Sequence, residues 1–192
     1  MTTFLPPAAV LNRELTVDFE NDSVVDIVLA YVVPDERTDR RFTTGVRVLK
    51  YAAVSGWAVA FAEADLVDNG AGASAAITIE KVRSASGKDG VVVILHYSGA
   101  GTATAWHVLA SVRNRISRLD PAKFRANVLK NKGYQDWGYN SVTTKGDLVI
   151  ESQPGYSRNT ARCCPDRPSI EMRFRFTGSS IALESVKELP RA

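Results

Sequence analysis

Ser169-Ile170-Glu171-Met172-Arg173-Phe174-Arg175-Phe176 alternates apolar and polar side chains without a break. Successive side chains of a strand point to opposite faces, so this order puts four apolar groups on one side and predicts a strand with one wet face. Thr177-Gly178-Ser179-Ser180 reads as a turn, and residues 181–186 are expected to return as the antiparallel partner. Just upstream, residues 137–143 and 147–152, joined at Lys145-Gly146, read as a second hairpin.

Further back stands Val91-Val92-Val93-Ile94-Leu95, apolar on both faces. A strand of that composition needs cover on each side, which makes it the expected middle of the core. Around it, residues 75–83 and 105–110 read as strands. For the second of these a helix over 102–114 competes, because alanines abound there. Residues 15–19, 24–33, 42–51 and 56–67 read as earlier strands, with a charged loop over 34–41 and a turn at Asp68-Asn69-Gly70-Ala71-Gly72. Asp120-Pro121 is a helix opening, so a short helix over 121–130 ended by Gly133 is expected. Val48-Leu49-Lys50 with Trp57 is echoed by Val128-Leu129-Lys130 with Trp137 at the same spacing, an agreement short enough to read as coincidence.

The expected fold is therefore mainly β (α+β if the short helices are counted), built of antiparallel β-meanders with one or two short helices. The expected organisation is a tail over 1–13, a β-rich N-terminal part over 14–70, and a larger antiparallel β unit over 71–190. A chain of 192 residues with 45% hydrophobic content can bury a proper core. No apolar run approaches the ~20 residues of a membrane-spanning helix, and the N-terminal residues lack the pattern of a signal peptide. The net charge of +3 is unevenly placed: residues 1–95 carry nine basic and thirteen acidic side chains, residues 96–192 fifteen and eight.

Catalytic signatures are sparse. His96 and His107 are the only histidines, and a zinc site needs three or four ligands at recognisable spacing, so no metal is expected. Ser86-Gly87-Lys88-Asp89-Gly90 offers calcium one carboxylate and a lysine, too little for a site of six to eight oxygens. His96-Tyr97-Ser98-Gly99-Ala100-Gly101 is not a nucleophile elbow, and Ser98-Gly99-Ala100-Gly101-Thr102 lacks the ending of a phosphate-binding loop. No cofactor is expected. Carboxylate pairs such as Asp136 with Asp147 or Glu151 are available for acid/base work, as in any domain. Arg113, Arg115, Arg118, Lys123, Arg125, Lys130 and Lys132 form a basic stretch against Asp120 alone, with Trp137 close by. They are candidate binding residues for a polyanion; no known nucleic-acid module matches, so nucleic acid is disfavoured.

Cys163 and Cys164 are the only cysteines and are adjacent. They can form a vicinal disulfide, stay as thiols, bridge to another chain or hold a ligand. Arg158, Arg162 and Arg167 are near enough in sequence to lower a thiol pKa, which leaves a structural brace and a redox pair both open. The order from Ile77 to Val186, including Ser98-Gly99-Ala100-Gly101-Thr102, a Trp-bearing strand, a hairpin, Cys163-Cys164-Pro165 and a final hairpin, resembles bacterial exported proteins and lipoproteins of the LppP/LprE type. That resemblance implies an extracytoplasmic domain, periplasmic, secreted or envelope-attached, of unknown biochemical role. The function expected is non-catalytic, the binding of a partner or a cell-envelope component. A small extracytoplasmic enzyme or redox protein using Cys163 and Cys164, and a polyanion-binding module, are the alternatives. The chain carries no lipobox cysteine near its start.

Overall fold

The computed structural model describes residues 2–34, 41–68, 76–98, 102–138, 140–157, 160–161 and 164–190. The charged segment at 35–40, the turn at 69–72, the loop at 99–101, and Cys163 with Arg158 and Arg162 lie outside the described residues.

Three four-stranded antiparallel meanders follow one another along the chain. The first sheet holds β1 (Val10–Val17), β2 (Asp26–Pro34), β3 (Arg41–Ala52) and β4 (Gly56–Asp68) in sequence order. The second holds β5 (Ala76–Arg83), β6 (Asp89–Ser98), β7 (Thr102–Val112) and β8 (Arg115–Leu119). After one helix, α1 (Ala122–Lys132), the third holds β9 (Ser141–Lys145), β10 (Leu148–Gly155), β11 (Arg167–Phe176) and β12 (Ile181–Leu189). The fold is mainly β with a single helix of any length, as the alternation and turn chemistry predict.

The sheets stack in three layers with the second in the middle. Val91, Val93 and Leu95 of β6 enter one apolar cluster with Val17, Val28, Ala30, Val46 and Val48 of the first sheet. Val92 and Ile94, on the opposite face of the same strand, enter another with Ile170, Met172, Phe174 and Phe176 of the third. All five residues of the apolar pentamer are buried, because their strand has a sheet on either side. The outer face of β11 is wet: Arg173 pairs with Glu171, and Arg175 with Asp147 and Glu184. The outer face of the first sheet is capped by Phe4 and Leu5, with Leu11 and Trp57, over Ile27, Leu29 and Leu49. The segment expected as a tail thus supplies packing, and β1 begins within it at Val10.

Residues 105–110 belong to strand β7, so the competing helix does not form; Trp106, Val108 and Ala110 face the third sheet and Leu109 the first. The helix predicted over 121–130 runs Ala122–Lys132. Asp120 Oδ1 accepts the Ala122 N–H at 2.8 Å, and Gly133 closes the helix in the left-handed region at φ 69°. Strand β8 was not expected. It follows a two-residue turn in which Arg113 and Asn114 both have positive φ, 51° and 62°, the geometry of a tight hairpin. Val48-Leu49-Lys50 lies in β3 and Val128-Leu129-Lys130 in α1, so the sequence echo has no structural counterpart.

Candidate ligand-binding cleft

Strand β10 alternates strictly between half-buried and buried positions, with Val149, Glu151, Gln153 and Gly155 turned inward toward the second sheet. Its inward row is therefore apolar at one end and polar at the other. At the apolar end Val149 joins Met172, Phe174 and Phe176. At the polar end a carboxylate and an amide enter the space between two sheets, where burying them without partners would cost several kcal/mol.

Glu151 is 0% exposed and its partners converge from three elements. Trp106 Nε1 of β7 donates to Oε2 at 2.8 Å. Asn140, just before β9, donates through Nδ2 to Oε1 at 2.5 Å, and Arg125 Nη1 of α1 lies 3.5 Å from the same oxygen. Arg125 Nε in turn sits 3.3 Å from Asp136. The two carboxylates considered for acid/base work are thus bridged by one guanidinium. Asp147 lies elsewhere, paired with Arg175.

Above this base opens a cleft of about 520 Å³, lined by His96, Thr104, Asn140, Ser141, Val142, Ser152, Gln153, Pro154 and Ser169. That size suits a small ligand. Two buried acceptors of this lining, Asn140 Oδ1 and Gln153 Oε1, have no donor among the described residues. The orientation of Asn140 is not arbitrary, because its Nδ2 must face the Glu151 carboxylate, which leaves Oδ1 turned away from it. His96 Nε2 is 3.2 Å from Thr78 Oγ1 and contacts no serine hydroxyl by hydrogen bond among the described residues. Among the described residues the lining holds hydroxyls, amides and one imidazole but no carboxylate, lysine or arginine.

The histidines do not meet. His96 faces the third sheet and His107 the first, where His107 Nε2 lies 3.4 Å from Glu63 Oε2. Contact with His107, reinforced by Arg118 and opposed by burial, holds the Glu63 carboxyl below its ordinary range. Among the described residues no group of three His, Cys, Asp or Glu side chains is placed to hold a metal ion.

The basic stretch is dispersed by the fold. Arg118 pairs with Glu63 and Asp120, Lys132 with Glu188 at 2.7 Å, and Arg125 is spent on Asp136 and Glu151. Lys123 and Lys130 are exposed on α1, Arg113 and Arg115 are exposed at the β7–β8 turn, and Trp137 is half-buried. Cys164 is exposed; its N–H donates to Ala161 O at 3.1 Å. The loop beyond it is braced by Asp166, which accepts the Ser157 N–H at 2.7 Å and is held well below the ordinary carboxylate range by the hydrogen bonds from Ser157 and Thr160.

The cleft residues Thr104, Asn140, Ser141, Ser152, Gln153 and Ser169 were not singled out by sequence. The available signal was the inward row of β10 itself, once the hairpin fixes which parity faces the core. Comparison with protein-family models, curated proteins and solved structures found no match to this chain.

Proposed function

We propose that this chain is a non-catalytic binding domain whose cleft between the second and third sheets takes a neutral, hydroxyl-rich ligand, such as a segment of an envelope glycan. The observation that carries the reading is the pair of buried amide oxygens, Asn140 Oδ1 and Gln153 Oε1, that lack donors in an uncharged polar cleft. Unmet acceptors favour a ligand that brings O–H or N–H groups, and serine and threonine hydroxyls can answer in either sense. Among the described residues of the wall a carboxylate or phosphate would find no lysine or arginine. Glu151 is neutralised from behind by Arg125 and has both oxygens engaged, so it serves as the rigid floor and not as a reacting group.

The same reading places the protein outside the cytoplasm. It rests there on the LppP/LprE resemblance, and a disulfide between Cys163 and Cys164, which a reducing cytosol would not keep, would support it. Titration of the native protein with a thiol reagent, before and after reduction, tests this second part: no reactive thiol before reduction and two after it is expected. Two thiols reacting at once would remove the support from the cysteines.

The binding part is tested by thermal unfolding in the presence of neutral oligosaccharides, amino sugars and uronic acids. A neutral sugar should raise Tm in a saturable way, and Gln153→Leu should weaken its binding about three- to tenfold, the worth of one neutral hydrogen bond. If none of the panel shifts Tm, or if Gln153→Leu responds like the parent, the cleft is not the site.

A further inference from the structure

Residues 51–62, Tyr51-Ala52-Ala53-Val54-Ser55-Gly56-Trp57-Ala58-Val59-Ala60-Phe61-Ala62, carry no charge, and they form the end of β3, its turn and the first half of β4. Residues 51–55 and 58–60 are exposed, and Val54 at the turn is fully so, at 102%. Tyr51 and Trp57 face each other across the hairpin with ring centroids 5.5 Å apart. Val24 and Val25, immediately before β2, are half exposed at the same end of the first sheet, since Ile27 pairs with Leu49.

This hairpin stands out from the rest of the molecule. Arg118 of β8 meets Glu63 of β4, and both strands run away from their turns at the same end. Val54 lies nine residues back from Glu63, whereas Asn114 lies four back from Arg118. Arg118 reaches Glu63 along a long side chain, whereas the shorter His107, which Glu63 also meets, lies six to seven residues from the β7–β8 turn. Allowing one residue for the bulge in β4 opposite Val48 and Leu49, the β3–β4 turn projects one to two residues, roughly 3–7 Å, past the β7–β8 turn at about 3.3 Å per residue. On the same count the Tyr51 and Trp57 rings stand about level with Arg113. Arg113 and Arg115 are exposed and make no ion pair among the described residues.

We propose that the β3–β4 hairpin docks the protein peripherally on an anionic lipid bilayer, with Val54 and its neighbours in the interfacial layer and Arg113 and Arg115 against the headgroups. Small apolar residues at the tip, with a Tyr/Trp pair and the cations at one level behind it, follow the polarity gradient of a membrane surface. Of the carboxylates at this end, Glu20 is neutralised by a cation, while Asp18 and Asp22 are turned back onto their own loop and keep their charge. Glu20 is engaged by Lys50 and by Ser111 Oγ, and the Asp18 and Asp22 carboxylates accept the backbone N–H groups of Asp22, Ser23 and Val24. Unpaired turn backbone cannot enter the hydrocarbon core, so insertion stops at the interface.

The test is co-sedimentation of the full chain with vesicles of phosphatidylcholine alone and of equal parts phosphatidylcholine and phosphatidylglycerol, with tryptophan emission recorded alongside. Binding to the mixed vesicles is expected, at least about tenfold weaker on phosphatidylcholine alone, with a blue shift that Trp57→Phe abolishes, which separates Trp57 from the half-buried Trp137 and the buried Trp106. Val54→Asp changes a side chain that touches nothing and should reduce binding at least about tenfold; Arg113→Glu with Arg115→Glu should do the same. The proposal is overturned if the parent binds neither vesicle, or if Val54→Asp binds as well as the parent. It is overturned too if Val54→Asp merely dissociates a dimer of a protein that ignores lipid, for then the occupant is a second copy.

Discussion

Replacing Glu151 by alanine should be among the most damaging single changes in this protein, for reasons that can be counted in the structure. The substitution leaves Trp106 Nε1, Asn140 Nδ2 and one arm of Arg125 without their acceptor, in a place where Glu151 has no exposed surface and Trp106 almost none. Removing one member of a buried charge pair costs about 3–5 kcal/mol, since the partner's charge stays behind. Here Asp136 remains to hold Arg125, which argues for the lower half of that range, and the indole N–H adds about 1–2 kcal/mol of unmet desolvation. A loss of about 4–6 kcal/mol follows. With a urea m-value of about 2 kcal/mol per molar, the unfolding midpoint should fall by about 2–3 M. Equilibrium urea unfolding followed by tryptophan fluorescence measures this. Adding Arg125→Leu should return about 1–2 kcal/mol, because the double variant no longer strands a cation. A loss below about 1 kcal/mol for Glu151→Ala, or a double variant whose losses simply add, would refute the reasoning that Glu151 is the keystone of the cleft floor.

Burial, moderated by Lys50 and aggravated by Glu20, pushes the Asp26 carboxyl up to about 6 from an ordinary 3.8. Its folded form holds the proton more tightly than its unfolded form, so its contribution is fully favourable below about pH 4 and is lost as pH rises through 6. At up to 1.36 kcal/mol per unit, Asp26→Asn should gain as much as about 3 kcal/mol on the parent at pH 7 and almost nothing at pH 4. Parallel denaturation curves at the two pH values check this, and an equal difference at both would refute it. Gly90 of β6 lies under Phe176, whose Cζ would be 2.7 Å from an added Cβ. Gly90→Ala should cost about 1–3 kcal/mol, and Phe176→Leu in the same chain should recover part of it; independent, additive losses would show that the ring is not the obstacle. Phe174→Ala should cost about 3–5 kcal/mol, because Phe174 is wholly buried edge-on to Trp106 with ring centroids 5.2 Å apart; a near-neutral result in thermal unfolding would contradict the inter-sheet packing.

Much of the architecture was legible because its signals are local. The alternation of Ile170, Met172, Phe174 and Phe176, the two-sided apolar run Val91–Leu95, and the glycine turns at Gly56, Gly146 and Gly178 each specify a feature that the fold keeps. Strand β8 was hidden because Arg113 and Asn114 carry no glycine, although Asn tolerates positive φ, and because its arginines read as a surface patch. The three-layer stacking depends on which face of each strand meets which neighbour, and such long-range pairing has no short sequence mark. The cleft was obscured for the same reason: Glu151 and Gln153 are ordinary surface residues by type, and only the parity of β10 turns them inward. The basic stretch misled in the opposite sense, because Arg125 and Lys132 look available in sequence and are committed to Glu151 and Glu188 in space.

The central claim concerns the two orphaned amide oxygens. The most direct measurement is a titration of isotopically labelled protein with a neutral glucan oligomer, following backbone and side-chain amide resonances. Saturable shifts of the Asn140 and Gln153 side-chain NH₂ signals and of the Thr104 and Ser141 backbone N–H, with Val54 and Trp57 unmoved, are predicted. Silence at Asn140 and Gln153, or stronger shifts there with an oligomer of glucuronic acid, would contradict the account.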